Sequence, residues 1–122
     1  MINVKPEVLT ALEGNEDLAA LLGGPNIYQL KAPEGLEKYI TLFELTNFDS
    51  AWADGAAITS EVHLQVDVWV KEASTSAIAA EVDKTMKSLG FKRTGSADLY
   101  EEDTKIFHKA LRYVTEREIE GG

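Results

Sequence analysis

Between Glu61 and Lys71 the chain alternates without a break. Val62, Leu64, Val66, Val68 and Val70 fall on one side, and Glu61, His63, Gln65, Asp67 and Trp69 on the other. A period of two over ten residues predicts a strand with one apolar face, in an antiparallel sheet whose valines pack on a helix. That helix comes next in the chain. Ile78, Val82, Met86 and Leu89 recur along one side, Glu81, Asp83, Lys84 and Lys87 take the other, Ser74 or Ser76 supplies the cap, and Gly90 sits just past the end.

Upstream, Val8, Leu9 and Leu12 give a helical face behind Pro6, which suits a first turn. Gly14-Asn15 interrupts it, Asn15 caps a continuation carrying Leu18, Leu21 and Leu22, and Gly23-Gly24-Pro25 stops it. A short strand, 27–30, precedes a longer one over about 39–48. Tyr39, Thr41, Phe43 and Leu45 share one face there, and Ile40, Leu42, Glu44 and Thr46 the other. Both faces are largely apolar, so this strand belongs inside the sheet or under cover on both sides. Residues 49–58 have no clear period and read as a long loop between antiparallel strands. The C-terminal third reads as extended segments 91–95 and 105–117 around an acidic loop, 97–103, and residues 118–122 read as a frayed tail. The expected order is α-β-β-β-α-β-β, an α+β fold with a mainly antiparallel sheet, an N-terminal helix and a central amphipathic helix.

Composition narrows the choices. A chain of 122 residues suits one domain. It has no cysteine, which rules out disulfides, thiolate nucleophiles and Cys-based zinc sites. The N-terminus lacks the basic and apolar regions of a signal peptide, and no apolar run approaches the length of a membrane span. The net charge is −9, with −6 in residues 1–60 and −3 in residues 61–122. Such a surface repels a phosphate backbone, so tight nucleic-acid binding is disfavoured.

Reactive constellations are weak. His63 and Asp67 share a strand face but stand about 13 Å apart along it. His108 falls near Glu101, Glu102 and Asp103 in the sequence, a grouping read as an acidic turn beside a strand histidine. No nucleophile elbow and no phosphate-cradling glycine spacing occurs. No catalytic, cofactor or metal residue is assigned. The informative side chains are aromatic. Trp69 stands on the polar face of its strand, either covered by another segment such as the N-terminal helix or exposed as a binding anchor. Trp52 lies in the aperiodic segment, where an apolar ring calls for a partner. Trp52, Asp54, Trp69, Asp98, Tyr100, Glu101, Glu102 and Asp103 are the candidate protein-contact residues.

Several segments, in order and spacing, resemble the tail-completion (tail-terminator, head-to-tail joining) proteins of long-tailed bacteriophages. They are Leu18-Ala19-Ala20-Leu21-Leu22-Gly23 with Ile27-Tyr28 shortly after, then Tyr39-Ile40-Thr41-Leu42-Phe43, then Val66-Asp67-Val68-Trp69 before an Ala-rich helix, and Asp98-Leu99-Tyr100-Glu101-Glu102-Asp103-Thr104 opening the last strand. The resemblance spans roughly residues 5–115. Lys38 departs from it, standing where the family often has proline. The resemblance implies a virion protein that caps the head-proximal end of the tail tube as a ring, commonly a hexamer, and joins tail to head. Its implied partners are the tail-tube protein and the neck or connector proteins. It is compatible with a free monomer that assembles only on the tail, and it supplies no catalytic residues. A neck or head-completion adaptor is the alternative assembly role, and a small enzyme or ligand-binding domain is the alternative class.

Overall fold

The computed structural model describes residues 1–119. The elements are α1 (Lys5–Glu13), α2 (Glu16–Leu22), β1 (Ile27–Gln29), β2 (Lys38–Ala53), β3 (Ala56–Lys71), α3 (Ser76–Ser88), β4 (Lys92–Glu101) and β5 (Ile106–Glu118). The fold is α+β, and the five strands form one sheet in the order β1-β2-β3-β5-β4. Every pairing is antiparallel except β1 with β2.

The alternating segment is the spine of this sheet. All five of its apolar residues are fully buried, and they form one core with Val8 and Leu12 of α1, Leu18 and Leu22 of α2, and Ile78, Val82 and Met86 of α3. Burial of each such side chain is worth about 1.5–3 kcal/mol. The helices therefore all lie on one face of the sheet. The other face, which carries Tyr39, Trp69 and His108, is open.

Helix ends obey the local chemistry. Asn15 caps α2 by accepting from the Leu18 N–H at 3.0 Å, and its Nδ2 donates to Thr85 Oγ1 of α3 at 3.0 Å. One side chain thus ends one helix and ties it to another. Gly90, at φ 88°, lets the Gly90 and Phe91 N–H groups return to the Lys87 and Met86 carbonyls, closing α3 in a Schellman motif. At the start of α3, Thr75 takes the cap position without a side-chain bond, and the Ser74 hydroxyl accepts from the Ser76 N–H at 3.1 Å.

Three expectations are corrected. The aperiodic segment is not a loop: β2 and β3 both run through it and meet at a two-residue turn, Asp54-Gly55, with φ of 50° and 77°. Positive φ at both positions is what the tight turn of a twisted hairpin requires, and Asp-Gly is a preferred pair for it. Likewise, most of the acidic segment is strand. Asp98, Tyr100 and Glu101 belong to β4, and only residues 102–105 turn. The C-terminal tail is held further along than expected. Glu118 pairs with Thr59, and the Ile119 N–H donates to the Ile58 carbonyl at 2.8 Å. The rest of the expected frayed tail, 120–122, lies outside the described residues.

Candidate functional site

Alternation along β3, β5 and β2 sends every second side chain to the open face. The register aligns Tyr39, Trp69, His108 and Leu99 in one row across four strands. Tyr39 stacks on Trp69 with ring centroids 5.7 Å apart, and Trp69 stacks on His108 at 3.7 Å. The Trp69 Nε1–H donates to Thr41 Oγ1 at 3.0 Å, so the indole is fixed at its polar end as well. Trp69 is thus half-covered by neighbours within its own sheet. The N-terminal helix, expected as a possible cover, packs on the opposite face.

His108 does not join Glu101, Glu102 and Asp103. Its Nε2 lies 3.0 Å from Asp67 Oδ1, both side chains being largely buried. The approach is not aligned for a hydrogen bond, and the nitrogen has no other partner. The direction counts for more than the distance, so the contact is one of proximity. Asp67 Oδ1 instead accepts from Gln65 Nε2 at 2.8 Å. His63 pairs with Glu61 at 2.8 Å, and Phe48 stacks beside it. Among the described residues, no three acidic or histidine side chains converge as a metal-ligand group.

The β2–β3 hairpin forms an arm whose root is flanked by β5 as far as Thr59 and whose tip, beyond Ile58, is two-stranded. Register shifts in β2 at residues 44–46 and 49–52 mark bulges, which bend and twist the arm. The first bulge, at Leu45, reverses the facing of the residues beyond it. Asn47 turns to the helix side, where its Nδ2 donates to the Ile2 carbonyl at 2.7 Å. Phe48, Trp52 and Ile58 stand exposed on the arm, Trp52 at 62%.

At the other end of the sheet, Tyr100 packs on Phe107 with centroids 4.7 Å apart, and both are exposed. Asp98 holds Lys109 Nζ at 3.1 Å, and Glu101 accepts from Thr104 Oγ1 at 3.0 Å. Glu102 and Asp103 extend from the turn. Burial, and behind it the Glu101 charge, raises the Tyr39 hydroxyl above its ordinary value. The sequence-predicted contacts therefore fall into two groups. Asp98, Tyr100, Glu101, Glu102 and Asp103 cluster at the β4–β5 end, with Trp69 on the adjoining open face. Trp52 and Asp54 lie on the arm, about 40 Å along β3 at ~3.3 Å per residue.

Residues missed from the sequence are Tyr39, Phe48, Leu99, Phe107 and His108. Phe107 packs on Tyr100 on the helix side and Phe48 stands at the root of the arm, its side hidden by the bulge at Leu45, while cross-strand register alone brings Tyr39, His108 and Leu99 into the Trp69 row on the open face. A shallow groove of about 480 Å³ also opens on this face, bordered by Gln65, Gly95, Ala97, Leu99, His108, Ala110 and Arg112. No described helix is long and apolar enough to cross a membrane.

The chain falls among the structural proteins of phage-type virions. More narrowly, it belongs to the tail completion protein gp17 family, whose sequence model matches residues 6–115. Its fold is similar to that of a chain in the virion of a native gene transfer agent (GTA) particle, with a TM-score of 0.69, 16% identity and 92% of each chain covered. Comparison with curated protein sequences gives no match.

Proposed function

We propose that this protein completes a phage-type tail. It caps the head-proximal end of the tail tube as a ring, stops tube growth and joins the tail to the neck of the filled head, without catalysing a reaction. The observation that carries this reading is the family match across nearly the whole chain. Two features support it. The open face with its stacked Tyr39, Trp69 and His108, and the arm with its exposed Phe48, Trp52 and Ile58, offer contact surface. The tail-tube protein and the neck proteins are the partners, and the ring is a hexamer assembled from monomers. Electron microscopy of particles made without this protein tests the reading. Overlong or unjoined tails beside full heads are the expected outcome, and normal joined particles would refute it.

A further inference from the structure

Resting on the ring reading, we propose how neighbouring subunits hold each other. The β2–β3 arm of one copy seats in the groove on the open face of the next, between β3, β5 and β4. The arm carries three exposed large apolar side chains, Phe48, Trp52 and Ile58. Exposed aromatics of this kind are the usual anchors of protein interfaces. The groove has the complementary shape. Gly95, Ala97 and Ala110 keep its floor low, Leu99 makes one wall, and about 480 Å³ has room for an indole.

Charge selects the same pairing. From residue 39 to residue 70 the chain has no lysine or arginine, and the arm and its root carry Glu44, Asp49, Asp54 and Glu61. The groove holds Arg112, whose Nε donates to Gln65 Oε1 at 3.2 Å. Among the described residues its guanidinium has no carboxylate within ion-pair distance, and Asp67, the acid beside the groove floor, is buried against Gln65 and His108. The acidic groups Glu61 and Glu116 lie toward the root of the arm, outside the groove lining. An arm bearing carboxylates and aromatics thus meets a recess with one unpaired guanidinium over a low apolar floor.

The arm cannot fill its own groove. Its tip lies some 11 residues up β3 from Asp67, roughly 36 Å along a paired strand. The contact is therefore head-to-tail between copies, the kind of interface that closes into rings.

The native chain has no cysteine, so introduced thiols report cleanly. A protein carrying Ala53→Cys and Ala97→Cys, both at exposed positions, is assembled on isolated tails and treated with a short bismaleimide. A denaturing gel should show a ladder ending at the ring's subunit number, while a mixture of the two single variants should stop at dimers. Arg112→Glu should lower the cross-linked yield about tenfold, the equivalent of roughly 1.4 kcal/mol. Adding Asp54→Arg should restore it, and Trp52→Ala should abolish the ladder with the melting temperature unchanged. Rings visible on tail ends with no 53–97 cross-link, or a cross-link only to another tail protein, would overturn the proposal while leaving the ring reading intact. Tails that bear no ring of this protein would overturn both.

Discussion

At the scale of single residues, Asp83 on the edge of the core is tied by three side chains. Tyr113 is fully buried and donates its hydroxyl to Asp83 at 2.9 Å, while Lys87 reaches the same carboxylate at 2.8 Å and Arg93 at 3.5 Å. Burial first, and then the Asp83 hydrogen bond and charge, push the Tyr113 hydroxyl far up. For Asp83 burial is the largest single influence and acts upward, but the Lys87 and Tyr113 hydrogen bonds with the Arg93 and Lys87 charges outweigh it and bring the carboxyl below its ordinary value. A raised tyrosine gives stability that is present below the unfolded value of about 10 and lost as pH rises past it. A lowered carboxyl gives stability that is present above about 3.9 and lost as pH falls through its folded value. Melting temperature measured against pH should therefore decline at both extremes. Tyr113→Phe should flatten the alkaline limb and cost about 1 kcal/mol at neutral pH. Asp83→Asn should flatten the acid limb. An unchanged acid limb in that variant would show that other carboxylates control it.

At the scale of elements, α2 is short and depends on its cap. Asn15→Ala removes both the Leu18 N–H acceptor and the bridge to Thr85. It should cost about 1 kcal/mol, read as a lower denaturant midpoint with an unchanged slope. The arm poses the opposite case. Replacing residues 50–59 with Asn-Gly would let the existing Asp49–Ser60 pair close a shorter two-residue hairpin. The shortened protein should melt within a few degrees of the parent and fail to join tails; global unfolding would show the arm to be part of the core. This arm also shows where the sequence is hard to read. Strand β3 is legible as far as Glu61 because its apolar residues face the helices and the alternate positions, on the open face, are mostly polar. Past the buried Ser60 both sides of the hairpin are partly or fully exposed, so burial no longer imposes alternation, and small residues such as Ser50, Ala51, Ala53, Ala56 and Ala57 blur what remains. The Asp54-Gly55 turn is the surviving signal. Bulges such as the one at Leu45 cannot be read locally, because a shift of one residue shows only against the partner strand. The acidic stretch reads as a loop for a related reason: β4 is an edge strand exposed along nearly its whole length, so its polarity resembles that of a loop. Of the candidate contact residues, Trp52 and Trp69 can be picked out as aromatics in polar settings, whereas the row of Tyr39, His108 and Leu99 arises from pairings between distant segments.

At the scale of the whole molecule, one-sided helix packing separates two tasks. The helix face builds the core, and the opposite face and the arm are the surfaces that the proposed assembly uses. In the proposed ring, a net charge of −9 leaves the phosphates of DNA in the bore little to grip. Mobility-shift assays at physiological salt should show no DNA retention, and a bore lined mainly by lysine and arginine would contradict this view. Strand order has a further effect, on biosynthesis. Strand β5 lies between β3 and β4, so the last described strand of the sheet to be synthesised occupies an interior place. Until it arrives, β3 keeps a bare edge and β4 lacks its only described partner. Nascent chains stalled before residue 106 should therefore be sticky and protease-sensitive, and incapable of joining the virion. The fold thus acts as its own check that translation has reached the end of the sheet.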